Sequence, residues 1–211
     1  LLVIINFWVV YFDDYKYLCE MKEISLIKET GATFTPKGLA DFLSRRILSY
    51  SKVKNPLIID PACGDGALLK SIGQELDLLN KEYSLKGYDT NKDYLETAKS
   101  NLIESINLSF ELRNEDFLEK IDICDKQQTL NFEIDKVPEN NFADIVIANP
   151  PYVRTQVLGA EKAQFLSKKY NLKGRVDLYY PFLIAMTHAL KEDGIVGVIT
   201  SNRFLFTKSG N

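Results

Sequence analysis

The sequence predicts an α/β fold, a doubly wound and mostly parallel sheet with helices on both faces. Three observations lead to this prediction. Short apolar runs of strand length alternate along the chain with segments of helical periodicity. Polar and glycine-containing motifs directly follow those apolar runs, at the sheet edge where such folds bind ligands. The 211 residues, 45% of them hydrophobic, are enough for a domain with a substantial core.

The first helix is predicted to begin at Thr35 and Pro36. Threonine is a favoured capping residue, and proline is favoured in the first helical position. Apolar residues then recur on one helical face, at Leu39, Phe42, Leu43 and Ile47. The Asn55-Pro56 pair ends the helix, because proline cannot donate the next backbone hydrogen bond.

A strand, a glycine turn and a second helix are predicted next. The apolar run 57–59 is short and continuous, as in a strand that is covered on both faces. It leads into the turn 60–66, which contains two glycines. Apolar residues recur at helical spacing after the turn, at Leu68, Leu69, Ile72, Leu76 and Leu79.

The alternation of strands and helices continues along the chain. Further strands are predicted at residues 83–89, 106–112, 143–148 and 195–200. Further helices are predicted over residues 93–103 and around 182–190. Two stretches fit neither pattern. We interpret residues 118–141 as an insertion or long loop, and residues 153–173 as a mobile segment over the active site.

The number and distribution of charged residues exclude some classes of protein function. The chain carries 26 Lys and Arg against 29 Asp and Glu, a formal net charge of −3, which excludes a histone-like polycation. The charge is segregated, with a net +5 on residues 152–211 and a net −8 on residues 1–151. A nucleic-acid enzyme with a basic C-terminal third is therefore compatible with the acidic total.

Cysteine and histidine usage argues against a disulfide framework and against a zinc site. The three cysteines, Cys19, Cys63 and Cys124, lie far apart in the sequence, and His188 is the single histidine. His188 falls on a predicted amphipathic helix, and we interpret it as structural. A reducing cytoplasm is the expected location.

The N-terminal stretch is apolar but short. Residues 1–12 are almost all apolar, yet they are too few to span a bilayer as a helix, so we expect no membrane association. They could form a buried strand or a packing helix. Because Met21-Lys22-Glu23 reads like an ordinary start, we expect residues 1–20 to be dispensable.

Three strand ends carry residues that could bind a nucleoside. Gly64 and Gly66 let the backbone approach a ligand at a helix start, where free N–H groups are available. The turn lacks the fingerprints of a dinucleotide site and a P-loop, so NAD and ATP are not favoured. Asp89 could accept hydrogen bonds from both ribose hydroxyls, while Asp116 and Phe117 could contact an adenine base. Taken singly, a tight turn and solvated aspartates would explain these residues equally well.

The sharpest motif is Asn149-Pro150-Pro151-Tyr152, which follows the predicted strand 143–148. The two prolines fix the backbone and remove two donors, so the surrounding carbonyl groups point outward. The Asn149 side-chain oxygen and the Pro150 carbonyl could then accept both hydrogens of a planar exocyclic amine. Tyr152 offers a flat face on which a base can stack. A rigid turn without chemistry is the alternative interpretation.

Taken together, these motifs resemble the N6-adenine DNA methyltransferases of the gamma order, the amino-methylating enzymes of restriction-modification systems. The resemblance runs from about residue 33 to residue 204, with the cofactor motifs before the catalytic motif. Residues 149–154 are further similar to the large Eco57I-like (type IIG) enzymes, which join methylation to restriction or phage defence. The resemblance implies the Rossmann-like fold of class I S-adenosylmethionine-dependent methyltransferases.

The resemblance also assigns roles to individual residues. It implies that the cofactor, S-adenosylmethionine, is bound by Thr33, Thr35, Pro36, Asp60, Ala62, Gly64, Gly66, Asp89, Asp116, Phe117 and Asn149. It implies that the catalytic motif consists of Asn149, Pro150, Pro151 and Tyr152. Contacts to DNA are expected from Tyr152, Arg154, Arg175 and Arg203. No residue is expected to bind a metal.

The implied substrate is double-stranded DNA, with a specificity or restriction subunit or domain as a further partner. The target adenine must leave the duplex, because its amino group is engaged inside the stack. Hydrogen bonds from that amino group to Asn149 and Pro150 would free its nitrogen lone pair for in-line attack on the methyl group. The alignment of the amino group with the methyl group and the electrostatics of the site then account for the rate of methyl transfer, and no general base is required.

The resemblance further implies a domain organisation. Residues 1–30 would form an N-terminal extension, and residues 31–211 the S-adenosylmethionine-dependent catalytic domain. The family's last strands, an antiparallel hairpin, and its target-recognition domain are not recognised in the sequence. We therefore expect a catalytic domain that is truncated at its C-terminal side and has an exposed edge strand.

Two other function classes remain compatible with the sequence. The Asn-Pro-Pro-Tyr motif also occurs in glutamine-N5 methyltransferases of release factors and in guanine-N2 methyltransferases of ribosomal RNA, which methylate a planar NH2 group by the same logic. The Thr35-Pro36 and Pro61-Ala62-Cys63 sequences resemble the DNA enzymes more closely. The second alternative is a truncated, non-catalytic module that binds cofactor or DNA without turnover. Methyl transfer by this polypeptide alone would exclude it.

Overall fold

The part of the chain that the computed structural model describes contains seven strands and six helices. That part comprises residues 34–104, 109–123, 140–151, 158–172 and 177–200, and the backbone of residues 2–5 and 8–11. The strands are β1 (Leu2–Ile5), β2 (Trp8–Tyr11), β3 (Leu57–Asp60), β4 (Ser84–Tyr88), β5 (Phe110–Arg113), β6 (Ala143–Ala148) and β7 (Leu190–Thr200). The helices are α1 (Lys37–Tyr50), α2 (Ala67–Leu78), α3 (Lys92–Ile103), α4 (Phe117–Lys120), α5 (Ala160–Lys169) and α6 (Tyr179–Ala189).

The strands form one sheet in the order β2-β1-β7-β6-β3-β4-β5. Strands β3 to β7 run parallel to one another, which confirms the predicted doubly wound, mostly parallel α/β fold. Strand β3 lies between β4 and β6, so the chain winds outward from it in both directions. The carboxyl ends of β3 and β6 therefore border the crevice in which such sheets bind ligands.

Helices cover both faces of the sheet, because successive strand residues point to opposite sides. Ile58 of β3 packs with residues of α1, α2 and α3 in one apolar cluster. Its neighbour Ile59 packs with residues of α4, α5 and α6 in a second cluster. Both isoleucines are fully buried, which explains the continuous apolar run that predicted this strand.

Helix α1 begins later than predicted, and its cap is different. The helix starts at Lys37, with Pro36 in the N-cap position and no side-chain cap. The prediction that Thr35 caps this helix is therefore wrong. The reason is a competing partner, since the Thr35 hydroxyl accepts a hydrogen bond from Asn149 instead.

The stretch 153–173, which we interpreted as a mobile segment, contains helix α5. The sequence signal was weak because α5 is mostly polar, and Leu166 is its one fully buried residue. Tyr170, just after the helix, is also buried and contributes to the same apolar cluster. Residues 153–157 and 173 of this stretch lie outside the described residues, as do residues 124–139 of the predicted insertion 118–141.

The outer edge of β7 is covered by the N-terminal hairpin. Strand β1 pairs antiparallel with β7, with Leu2 opposite Thr200 and Ile5 opposite Gly197, and β2 pairs antiparallel with β1. The expectation of an exposed edge strand therefore does not hold at β7, because β1 pairs with the backbone groups of that edge. The pairing also argues against the expectation that residues 1–20 are dispensable, since their removal would uncover β7.

Among the residues described here, no helix has the length and apolarity needed to cross a bilayer. The longest, α1, has 14 residues, whereas a spanning helix needs about 20 apolar ones.

Candidate active site

A cavity of about 370 Å³ opens at the carboxyl ends of the parallel strands. Four strand ends contribute to its lining, through Ala62 and Gly64 after β3, Asp89 after β4, Asp116 after β5 and Asn149 after β6. The volume lies in the range of sites for small molecules and cofactors. The position is the topological switch point of the sheet, as the fold predicts.

Most described residues of the predicted site meet at this cavity. The residues that line it are Ala62, Gly64, Asp89, Asp116, Phe117, Asn149, Pro150 and Pro151. Thr35 and Asp60 lie directly behind the lining, since they are hydrogen-bonded to Asn149 and to the backbone of Ala62. Pro36 and Gly66 are not among the lining residues; they are the N-cap residues of α1 and α2. The remaining predicted site residues lie outside the described residues and stay predictions, namely Thr33, Tyr152, Arg154, Arg175 and Arg203.

The turn after β3 is held in shape by Asp89. The Gly64 N–H donates to Asp89 Oδ2 at 2.9 Å, and the Asn91 N–H donates to Asp89 Oδ1 at 2.8 Å. Gly64 and Gly66 have φ angles of +53° and +79°, and residues other than glycine rarely adopt such positive φ angles. Each Asp89 oxygen keeps a further lone-pair direction, so the carboxylate can still accept hydrogen bonds from two hydroxyl groups of a ligand.

An aromatic pair that the sequence analysis missed forms another part of the wall. Phe34 and Tyr94 both line the cavity and meet edge to face, with their ring centroids 5.4 Å apart. Tyr94 lies in the first turn of α3, which Asn91 caps by accepting hydrogen bonds from the Asp93 and Tyr94 N–H groups. The Asn91 cap could have indicated that this helix begins at the site.

Phe117 forms part of the apolar floor of the cavity. Its side chain is 1% exposed and lies parallel to the Phe182 ring, with a centroid distance of 6.5 Å. The Tyr88 ring meets it edge to face at 5.2 Å. Leu178 also lines the cavity, so this part of the site suits a flat apolar group such as a purine.

Asp60 is a buried acid behind the turn. Its carboxylate is 1% exposed and accepts a hydrogen bond from the Ala62 N–H at 3.1 Å. Burial raises the pKa of Asp60 to about 8, the Ala62 hydrogen bond opposes the rise, and the nearby Asp89 and Asp65 add to it. The carboxyl group is therefore largely protonated at neutral pH when no cation is close to it.

We expect Asp60 to make the free energy of unfolding depend on pH. Its pKa in the folded protein, about 8, lies above the ordinary value of 3.8, so the folded state retains a proton that the unfolded state loses. The contribution of Asp60 to the free energy of unfolding is therefore full below its ordinary pKa of 3.8, falls as the pH rises from there to about 8, and is constant at higher pH. Denaturant unfolding of the protein and of Asp60→Asn across this range should show a stability that falls with pH only when Asp60 is present. Equal slopes for both proteins would contradict the assignment.

Asn149 at the end of β6 is oriented by Thr35. The Asn149 Nδ2 donates a hydrogen bond to Thr35 Oγ1 at 3.1 Å, across a separation of 114 residues. Because the amide nitrogen is used in this way, the side-chain oxygen is turned away from Thr35. The following Pro150 is buried and Pro151 is partly buried, and both line the cavity. Neither proline has a backbone N–H, so this part of the lining lacks two backbone donors.

Asp116 has two partners that the sequence analysis did not predict. Its Oδ1 accepts a hydrogen bond from the Leu118 N–H at 2.9 Å, which caps the short helix α4. Its Oδ2 accepts a hydrogen bond from the Lys162 ammonium at 2.5 Å. Lys162 lies on α5 and also lines the cavity. No sequence signal identified Lys162, because it comes from a helix that the periodicity did not reveal.

The sequence matches a known protein family and several of its relatives over most of the chain. The family model Eco57I restriction-modification methylase matches residues 16–211. The chain is 42% identical over 190 residues to Type II methyltransferase M.BanIII of Aneurinibacillus aneurinilyticus, a match that covers 87% of this chain and 32% of that protein. It is 28% identical over 204 residues to Type II methyltransferase M.BstVI of Geobacillus stearothermophilus, with 85% and 35% covered. The chain thus spans about a third of the length of these relatives.

Solved structures with the same fold include methyltransferases. A candidate class I S-adenosylmethionine-dependent methyltransferase from Listeria monocytogenes superimposes with a TM-score of 0.65 at 18% identity, covering 92% of this chain and 54% of that one. The methyltransferase subunit of a type I restriction-modification system from Streptococcus thermophilus gives a TM-score of 0.58 at 18% identity, with 83% and 35% covered. These likenesses confirm the predicted class I methyltransferase fold.

Proposed function

The chain belongs to the Eco57I restriction-modification methylase family, and from this premise we propose that it methylates the N6 amino group of an adenine in DNA. The observation that carries the proposal is the position of Asn149 and the two prolines after it. They lie at the carboxyl end of β6 and line the same cavity as Asp89 and Asp116. An acceptor pair for a planar amine thus borders a site that suits a nucleoside-containing cofactor.

S-adenosylmethionine is the cofactor that this fold and family use, and the cavity suits it in three respects. Asp89, Glu115 and Asp116 line the cavity, and their acidity suits a ligand with net positive charge. Asp89 has the capacity to accept hydrogen bonds from ribose hydroxyls, and the floor with Phe117 suits the purine ring. When bound, this cofactor supplies an electrophilic methyl group on a positively charged sulfur.

The residues of the chain would act mainly by orientation and electrostatics. The Asn149 side-chain oxygen and the Pro150 carbonyl accept the two hydrogens of the target amino group. These hydrogen bonds draw the nitrogen towards tetrahedral geometry and make its lone pair available. Once the nitrogen carries the methyl group, it releases one of its two hydrogens to solvent as a proton. Thr35 holds the Asn149 amide in the required orientation, so little reorganisation is needed during the reaction.

The wider proposal concerns substrate and organisation. We assign double-stranded DNA as the substrate, an extruded adenine as the target, and residues 31–211 as the catalytic domain after an N-terminal extension of residues 1–30. Tyr152, Arg154, Arg175 and Arg203 are the proposed DNA contacts, in line with the basic charge of residues 152–211. A specificity or restriction subunit or domain is the proposed partner, and the cytoplasm the proposed location.

The experiment that tests this function uses cofactor with an isotopically labelled methyl group. The purified chain is incubated with unmethylated double-stranded DNA, with ribosomal RNA and with a release-factor protein, and the labelled products are identified by mass spectrometry. The proposal predicts N6-methyladenine in DNA. Label in guanine of RNA or in glutamine would support the alternative enzymes instead. Absence of label from every acceptor, with cofactor bound, would support a non-catalytic module.

A further inference from the structure

Helix α5 docks against the residues that follow β5. Lys169 Nζ donates to the Glu119 carbonyl at 3.0 Å, and the Tyr170 hydroxyl donates to the Leu118 carbonyl at 2.8 Å. Leu166 is fully buried in the apolar cluster beneath. These contacts hold α5 in place independently of Lys162, so a change at Lys162 should leave the helix docked.

Lys162 reaches from this docked helix into the cavity wall. Its ammonium donates to Asp116 Oδ2 at 2.5 Å and also forms an ion pair with Glu119. The side chains of Lys162 and Asp116 are 26% and 22% exposed, so the pair is partly shielded from water. Burial lowers the pKa of Lys162, but the hydrogen bonds that its ammonium donates to Asp116 and Glu119 raise the pKa by more, so the net shift is upward. Lys162 is therefore a cation throughout the neutral pH range.

The two oxygens of Asp116 are fixed by different donors. The Leu118 N–H holds Oδ1 and the Lys162 ammonium holds Oδ2, so rotation of the carboxylate would break both hydrogen bonds. Each oxygen retains a second lone pair that can accept from a ligand. A carboxylate accepts hydrogen bonds without donating any.

We propose that Lys162 is a positioning residue that makes Asp116 selective for the 6-amino group of the cofactor's adenine ring. The inference rests on the proposed function, because it takes an adenosyl cofactor as the ligand. An acceptor held rigidly beside the cavity matches an amino group and opposes a carbonyl oxygen at the same ring position. Helix α5, which follows the catalytic motif along the chain, thereby takes part in recognition of the cofactor.

The test measures binding of S-adenosylhomocysteine and of S-inosylhomocysteine, which carries a carbonyl oxygen in place of the 6-amino group. Calorimetry is performed on the full chain and on Lys162→Met, Lys162→Arg and Lys168→Met. Methionine preserves the length of the lysine stem, arginine restores the charge, and Lys168 is an exposed lysine of the same helix. Circular dichroism and thermal unfolding verify that each variant is folded.

Lys162→Met is expected to weaken S-adenosylhomocysteine binding about tenfold and to change S-inosylhomocysteine binding by less than about twofold. Lys162→Arg should restore most of the preference, and Lys168→Met should behave like the parent protein. An equal loss for both ligands would indicate a merely structural role and overturn the proposal, as would no loss for either. Failure of the parent protein to bind S-adenosylhomocysteine would instead count against the proposed function.

Discussion

Replacement of Asn149 by alanine is expected to reduce methyl transfer by about a hundredfold or more while the affinity for the cofactor changes little. In the proposed mechanism the side-chain oxygen accepts a hydrogen of the target amine, and this interaction matters most as the nitrogen becomes tetrahedral. The proposed cofactor contacts lie chiefly at the ends of β3, β4 and β5. Single-turnover methylation of DNA and calorimetric titration with cofactor measure the two quantities separately.

The matched control for this change is Asn55→Ala. Asn55 is exposed, is hydrogen-bonded to Glu82 at 3.2 Å, and does not belong to the cavity lining. Its replacement should leave both the rate and the cofactor affinity unchanged. Undiminished methylation by Asn149→Ala would show that the catalytic assignment of the motif is wrong.

Thr35 allows a graded version of the same experiment. Thr35→Val keeps the shape of the side chain but removes the acceptor of the Asn149 amide, so we expect about a tenfold lower rate with unchanged cofactor affinity. Thr35→Ser retains the hydroxyl and should retain the rate. A weaker cofactor affinity with an unchanged rate would instead support the role implied by the resemblance, in which Thr35 contacts the cofactor.

Replacement of Asp89 by alanine is expected to weaken cofactor binding by about a hundredfold. The carboxylate has two functions, because it holds the Gly64 and Asn91 N–H groups and is the proposed acceptor for ribose hydroxyls. Its loss would free the turn after β3 and remove a ligand contact at the same time. Titration with S-adenosylmethionine measures the effect directly.

Asp93→Ala is the matched control for Asp89. Asp93 is exposed in the first turn of α3 and is absent from the cavity lining. We expect its replacement to alter cofactor affinity by less than about twofold. If Asp89→Ala bound the cofactor as tightly as the parent protein, the assignment of this strand end to the ribose would be incorrect.

The parallel strands and the position of the site were predictable because they depend on local pattern. Strand β6 was predicted with its exact bounds, since a run of buried apolar residues ends abruptly at Asn149. The gathering of Gly64, Asp89 and Asp116 at one cavity follows from parallel topology, which brings successive strand ends to one edge. No three-dimensional information is needed for either step.

The contacts that orient the site were not predictable, because they join distant parts of the chain. The hydrogen bond between Thr35 and Asn149 crosses 114 residues, and nothing in the sequence of either motif indicates it. Lys162 reaches Asp116 from a helix whose polar composition conceals its periodicity. The local pattern around Thr35 even favoured a different use of its hydroxyl, as a helix cap.

The hairpin that covers β7 has a consequence for how the protein folds. Leu2 pairs with Thr200, so this edge joins nearly the two most distant points of the described chain. Contacts of such high sequence separation carry a large loop-closure entropy and slow folding. During synthesis, β1 emerges from the ribosome long before its partner strand exists. We therefore expect the pairing of β1 with β7 to form late in folding, after the parallel part of the sheet offers a surface on which β1 can pair.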